Sequence, residues 1–247
     1  MNTASASPAD PDGAPGRSPR RLPLVWDAPV RAFHWLTVLC FAGAYLTAES
    51  ERWRLVHVTL GYTLAGLVVF RLVWGFVGTR HARFAQFVRG PAQAFAYLRS
   101  LLAGQPGHHA GHNPAGALAI VALLALAAGV TATGWLTYAE WGGDRFEDLH
   151  EALANLMLAL VGVHIAAVLI SSHLHREHLV RAMVTGRKAV PPAEGIAQAW
   201  RSVAALMLVA VLAFWWWQWQ HAPAGDATPA RSVAAGHHDG DDEDDDD

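Results

Sequence analysis

Four of the fourteen histidines lie within or at the edge of long apolar stretches of the sequence. An ionisable side chain in such a stretch is costly, and it usually faces the interior of a helix bundle or has a specific partner. Imidazole binds metal ions and haem iron, so these four residues are the candidates for chemistry. They are His34, His57, His150 and His164.

The elements that carry these histidines are predicted to be membrane-spanning helices. The chain of 247 residues is 53% hydrophobic and only 16% charged, which favours a membrane protein. A bilayer core about 30 Å thick needs roughly twenty apolar residues in a helix. This length criterion predicts five helices, near residues 30–48, 55–77, 115–137, 149–171 and 202–219.

The distribution of charge predicts the orientation of these helices. Lys and Arg cluster in three regions, which are expected to be cytoplasmic, whereas the other connections are short and acidic or mixed. The basic clusters are Arg17, Arg20, Arg21 and Arg31; Arg80, Arg83, Arg89 and Arg99; and Arg176, Arg181, Arg187 and Lys188. The N-terminus is therefore predicted to be cytoplasmic and the C-terminus, with its acidic tail, periplasmic.

The orientation sorts the four histidines into two pairs at two depths. His150 and His164 are fourteen residues apart on one helix, which places them on nearly the same face and about 21 Å apart along the axis. Where the second helix begins, His57 shares the outer level of His150. Because the first helix runs outward, His34 reaches the level of His164.

Two imidazoles at one depth fit a haem iron, which takes axial ligands from opposite sides. Any one of these histidines alone is as well explained by a hydrogen bond to a neighbouring helix. Four at matched depths are harder to explain in that way, and a structural zinc site needs about four ligands close together. Cys40 is the only cysteine, which excludes an internal disulfide, a CxxCH site and a cysteine-ligated cluster.

The other ionisable residues are interpreted more simply. Arg31 and Arg71 could pair with haem propionates, but snorkelling to the cytoplasmic interface also explains them. Solvent or headgroup contacts explain the histidines of the connections and chain ends, which include His108, His109, His112, His173, His175, His178, His237 and His238.

Several blocks of sequence resemble the bacterial cytochrome b561 family, which includes the b-type cytochrome subunits of nickel-iron hydrogenases. They are Val25-Trp26-Asp27 leading to Arg31-Ala32-Phe33-His34-Trp35, His57 with Gly61, Arg71-Leu72-Val73-Trp74, Gly111-His112-Asn113-Pro114, His150-Glu151 with His164, and the stretch from Arg176 to Lys188. The resemblance covers about residues 24–190. It implies a four-helix core with two haems, with His34, His57, His150 and His164 as ligands, and electron exchange with the quinone pool.

The predicted fold is therefore all-α: an integral membrane four-helix di-haem bundle with one additional C-terminal transmembrane helix. The predicted regions are a disordered cytoplasmic N-terminus at 1–23, the cytochrome domain at 24–190, a linker and fifth helix at 191–220, and a disordered acidic periplasmic tail at 221–247. The expected location is the bacterial inner membrane.

The predicted function is electron transfer between a periplasmic redox partner and membrane quinone, by two non-covalent haem b groups held by the pairs His34/His164 and His57/His150. No catalytic residue and no nucleic-acid partner are expected. The partner would be a hydrogenase, another oxidoreductase or a periplasmic c-type cytochrome, which the eight carboxylates of 239–247 could steer unless they are simply solvated. The alternatives are a stand-alone superoxide:quinone-type oxidoreductase and a haem-free metal-binding transporter.

Overall fold

The protein is an all-helical bundle in the computed structural model, which describes residues 22–88, 90, 92–93, 95–96, 99, 114–174 and 176–222. Five helices are long and apolar enough to cross a membrane. They are α1 (Ala28–Thr47), α2 (Arg54–Val77), α4 (Pro114–Tyr138), α5 (Asp144–Leu174) and α7 (Arg201–Gln220). Two shorter helices, α3 (Phe84–Phe87) and α6 (Leu179–Thr185), lie in the connections, with 3-10 turns at Glu51–Trp53 and Pro192–Glu194. Within the described residues the only β pairing is an isolated bridge between Leu24 and Arg187.

Local sequence signals explain where the helices begin. Asp27 caps α1, because its Oδ1 accepts a hydrogen bond from the Val30 amide at 2.8 Å, and Pro29 follows in the first turn. Gly142 and Gly143 take positive φ angles just before α5, which has Asp144 and Glu147 in its first turn. Acidic side chains there oppose the positive end of the helix dipole, so α5 begins at Asp144, five residues before the predicted 149.

The core lies between two helical hairpins, α1 with α2 and α4 with α5. One cluster joins Phe41, Val68, Val130 and Met157, which come from four different membrane helices. Helix α7 packs on the outside of the first hairpin, where Met207 joins a cluster formed by residues of α1 and α2. The predicted arrangement of four core helices and a fifth helix beside them is confirmed.

One end of the bundle is closed by connecting segments that hydrogen-bond to one another. We call it the cap end, and it comprises residues 22–27, 78–83 and 184–200. The Val25 amide donates to Gly186 O at 2.8 Å, the Ala28 amide to Ala199 O at 2.7 Å and the Ile196 amide to Leu24 O at 2.7 Å. These bonds place the starts of α1 and α7 side by side, and the Thr79 hydroxyl, which donates to the Asp27 carboxylate at 2.6 Å, brings the end of α2 beside them.

Two tryptophans near the cap end are buried. Trp26 and Trp74 are only 7% and 8% exposed, although both lie close to the end of a membrane helix, where tryptophan often contacts lipid headgroups. Trp74 is buried because its indole N–H donates to the Asp27 carboxylate at 3.1 Å. The N-terminal 21 residues, the acidic tail and His108, His109 and His112 lie outside the described residues.

Candidate functional site

The His57 and His150 rings face each other across the bundle, one from the first turn of α2 and one from the second turn of α5. Their ring centroids are 6.1 Å apart, and the ring planes are inclined by 76°. With a metal–nitrogen bond of about 2 Å on each side and roughly 1 Å from each nitrogen to its ring centre, two axial imidazoles have centres about 6 Å apart. The separation therefore fits one metal ion between the two rings.

Hydrogen bonds orient both rings of this pair. His57 Nδ1 lies 2.8 Å from Ala44 O, and His150 Nδ1 lies 2.9 Å from Val130 O. A carbonyl oxygen only accepts, so each Nδ1 carries the proton and donates it. Each Nε2 is then left with a lone pair, which is the tautomer that binds a metal.

Two glycines leave space beside this pair. A Cβ on Gly134 would lie 2.8 Å from His150 Cε1, so the α4 helix admits the His150 ring only because residue 134 has no side chain. A Cβ on Gly61 would meet no atom within 4 Å, although Gly61 lies one helical turn after His57 and is half-buried. Unfilled space beside the inward-facing His57 is what a flat porphyrin requires. Gly66 and Gly162 also have open space, but they are exposed and face outward.

His34 and His164 form the second pair, nearer the cap end. His34 lies six residues after the start of α1, and His164 lies ten residues before the end of α5. His34 differs from the first pair because its Nδ1 is buried and has no hydrogen-bond partner. A buried polar atom without a partner is uncommon in a native structure, and a bound group is one explanation for it.

Two more unpartnered buried atoms belong to the same part of the bundle. Thr37 Oγ1 lies one turn after His34, and Nη1 belongs to Arg71 near the cap end of α2. Arg71 is only 3% exposed, and its guanidinium lies 4.7 Å from the centre of the Phe84 ring. Because it is buried, Arg71 does not snorkel to the interface, and its free N–H group can bind an anion inside the protein.

The sequence reasoning missed the role of Asp27, which is 1% exposed. Its carboxylate caps α1 through Oδ1, and its Oδ2 accepts hydrogen bonds from the Trp74 indole at 3.1 Å and the Thr79 hydroxyl at 2.6 Å. Asp27 thereby fixes the start of α1, which carries His34, against the end of α2. The signal available was an N-cap residue followed by proline, which predicts the cap but not the two long-range bonds.

Among the described residues, no three His, Cys, Asp or Glu side chains form a group that could hold a metal ion. The interior imidazoles come in pairs, and a pair of neutral imidazoles with adjacent space for a flat ring fits haem. Their donor set, the 6.1 Å separation and the space at Gly61 are together consistent with that cofactor.

The fold and these residues define a class: a helical membrane protein with paired interior imidazoles. Within that class the chain matches the family described as prokaryotic cytochrome b561 over residues 25–186, more than half of its length, and it belongs to that family. It is therefore a membrane b-type cytochrome that contains haem and transfers electrons.

Several relatives of the chain are described as B-type cytochrome subunits of Ni/Fe-hydrogenases. The chain is 25% identical over 214 residues to a probable Ni/Fe-hydrogenase 1 B-type cytochrome subunit of Escherichia coli (strain K12), with 67% of this chain and 90% of that protein covered. It is 33% identical over 153 residues to a probable Ni/Fe-hydrogenase B-type cytochrome subunit of Azotobacter vinelandii, with 50% and 63% covered. A subunit of the same description from Rhodobacter capsulatus is 23% identical over 214 residues, with 66% and 80% covered. No solved structure matches the chain.

Proposed function

We propose that this protein is a di-haem cytochrome that transfers electrons between a redox partner at one membrane face and quinone in the membrane. His57 and His150 would hold one haem b, and His34 and His164 the other. The geometry of the His57–His150 pair carries the proposal, because its ring separation and tautomers suit ligation of one metal ion by both rings. Each haem b, when bound, supplies a one-electron ferric–ferrous couple.

The protein residues position the two centres and exclude water from them. His150 and His164 lie on one helix, fourteen residues apart, so α5 separates the two centres by about 21 Å along its axis. Apolar side chains between them, including Phe41, Val130 and Met157, form a buried cluster. The two centres would therefore form a path for electrons from one face of the membrane toward the other.

The redox partner we propose is a nickel-iron hydrogenase. The relatives described above are named as hydrogenase subunits, and they cover most of the cytochrome domain. We place the protein in a bacterial inner membrane with the cap end cytoplasmic. Arg80, Arg83, Arg181, Arg187 and Lys188 lie at or beside this end, as the excess of basic residues in cytoplasmic loops requires.

Quinol oxidation by the purified protein tests this function. A short-chain quinol mixed with oxidised protein should reduce both haems, and His34→Ala should remove one haem. The control is His221→Ala, which should keep both haems, because His221 is exposed beyond the end of α7 and its ring contacts Trp217 of its own helix, with Nδ1 2.8 Å from Trp217 O.

Three results would contradict parts of the proposal. Protein with full haem that neither a quinol reduces nor a quinone oxidises would remove quinone as the substrate. Protein purified without haem would instead support a metal-binding transporter. Superoxide that reduces the haems, with electrons passing on to quinone and no partner subunit present, would replace the hydrogenase with a stand-alone oxidoreductase activity.

A further inference from the structure

Three arginines border one cavity at the cap end of the bundle. The cavity has a volume of about 370 Å³ and lies between the starts of α1 and α7. Arg31 comes from the first turn of α1, Arg201 from the first residue of α7, and Arg187 from the segment after α6. The remaining lining residues are uncharged: Leu24, Thr185, Ile196, Ala197 and Ala199.

Main-chain carbonyl groups hold two of these arginines in place. Arg31 Nη1 donates to Val184 O at 2.6 Å, and its Nε lies 3.4 Å from Asp27 O. Arg187 Nη1 donates to Leu22 O. A guanidinium has five N–H donors, so both side chains keep donors for a further acceptor. The carbonyl groups orient the arginines without neutralising their charge.

The charges around the cavity are not balanced by the described carboxylates. Both oxygens of the Asp27 carboxylate already accept hydrogen bonds from the Val30 amide, Trp74 and Thr79. The described ion pairs join other residues, Arg54 with Glu51 and Lys188 with Glu177. Three cations therefore converge on one space that no described carboxylate lines.

The start of α7 adds to this positive potential. The first amides of a helix carry partial positive charge, which acidic residues or a capping side chain normally offset. Helix α7 has neither, since Trp200 at the N-cap makes no side-chain bond to the helix and no acidic residue lies in the first turn. Arg201 instead adds a full positive charge at the same position, so an anion would stabilise this helix end.

We propose that Arg31, Arg187 and Arg201 bind a phosphate group, which links the start of α7 to the start of α1. A phosphate offers several oxygens to guanidinium groups, which bind it bidentately. Because the cavity lies at the ends of membrane-spanning helices, the phosphate of an anionic phospholipid can reach it, as can a soluble phosphate compound. Basic pockets between membrane helices are known to hold such headgroups.

Lipid retention in native mass spectrometry tests the site. Holoprotein from nanodiscs of phosphatidylcholine with phosphatidylglycerol should release with bound phosphatidylglycerol, and Arg201→Gln and Arg187→Gln should each weaken binding about tenfold. The matched control is Arg54→Gln, because Arg54 lies at the opposite end of the bundle, where its side chain is 66% exposed. It should retain the lipid as wild type does.

A second arm distinguishes the source of the phosphate. Inorganic phosphate is added to lipid-free protein in detergent, and the melting temperature is measured. A rise in wild type that Arg201→Gln loses supports the phosphate site with a soluble ligand, whereas selective phosphatidylglycerol retention supports it with a lipid.

Two results overturn the proposal. One is equal lipid retention and equal response to phosphate in wild type, Arg187→Gln and Arg201→Gln. The other is loss of haem from the Arg187 or Arg201 variants, which would assign these arginines to haem propionates.

Discussion

The two histidine pairs of the bundle differ in how completely the protein holds them. His57 and His150 each bond through Nδ1 to a backbone carbonyl, and their rings already lie 6.1 Å apart. In the other pair, His34 has a buried Nδ1 without a partner. Nearby, Thr37 and Arg71 also have unpartnered buried atoms. One pair is oriented by the protein alone, and the other is surrounded by polar atoms that a bound group would satisfy.

The two sites on α5 should therefore depend on different interactions for binding a cofactor. The His57 and His150 rings are already oriented by the hydrogen bonds of their Nδ1 atoms, so they need little reorganisation when a metal binds. A site with unpartnered polar atoms gains more from its cofactor, because that cofactor removes the cost of burying them. We therefore expect the His57–His150 site to depend on ring orientation, and the His34–His164 site to depend on the charge of Arg71.

The largest effect is expected where the chain leaves space for a flat ring. Gly61→Leu should abolish haem binding at the His57–His150 pair, because its side chain would fill the space in which a Cβ meets nothing within 4 Å. The measurement is haem per chain with the helical content from circular dichroism. Gly66→Leu is the control, since Gly66 is exposed and also has open space. Full haem in the Gly61 variant would show that no cofactor occupies this space.

A change on α4 tests the orientation of the His150 ring. Gly134→Ala puts a Cβ 2.8 Å from His150 Cε1, so the ring must move away from its bond to Val130 O. We expect weakened haem retention and an altered low-spin spectrum for one of the two haems. Gly129→Ala on the same helix is the control, because its Cβ would meet only the end of the flexible Leu153 side chain, at 3.2 Å. Equal spectra for the two variants would contradict the proposed constraint.

A change of charge at Arg71 tests the site nearer the cap end. A buried cation favours the reduced haem, which carries one more negative charge. Arg71→Gln should lower one midpoint potential on the order of 60 mV, equivalent to about 1.4 kcal/mol, and leave the other nearly unchanged. Redox titration followed by optical spectroscopy measures both potentials, and Arg71→Lys should restore most of the shift. A shift in both haems, or in neither, would break the distinction between the two sites.

The smallest effect on the haems is expected for Asp27→Asn, because Asp27 supports the second site only indirectly. Asn at this position can still cap α1 through its side-chain oxygen. Its amide nitrogen would then face the Trp74 and Thr79 donors, from which it cannot accept hydrogen bonds. We expect a loss of stability of about 2 kcal/mol, seen as a lower melting temperature of the holoprotein. Glu51→Gln is the control, because its 3.6 Å ion pair with Arg54 is exposed and contributes less than about 1 kcal/mol. Equal melting temperatures would contradict the role assigned to Asp27.

The sequence predicted the membrane helices well because their length and apolar composition are set by the bilayer. The span predicted at 55–77 corresponds to the helix Arg54–Val77, and the span predicted at 202–219 corresponds to Arg201–Gln220. The start of α5 was missed by five residues, since a criterion of apolar length ignores the polar first turn of a helix. Four of the five span predictions thus hold within two residues at each end.

The candidate site was predicted in part. Depth along the helices paired His57 with His150, and the structure brings these two rings together. Sequence alone could not show that Ala44 and Val130 would offer their carbonyls to these rings, because those contacts depend on how the helices pack. For the same reason, the sequence could not decide whether Arg71 snorkels to the interface or lies inside the bundle, where the structure buries it, and it did not predict the convergence of Arg31, Arg187 and Arg201.

The central claim is tested most directly by counting haems in purified wild type and in single alanine variants of His34, His57, His150 and His164. The pyridine haemochrome assay gives the count, and reduced-minus-oxidised spectra identify the haem that remains. We predict about two haem b per wild-type chain and one in each variant, with matching spectra for His57→Ala and His150→Ala and a second matching set for His34→Ala and His164→Ala. Two haems retained in any of these variants, or pairs grouped differently, would contradict the account.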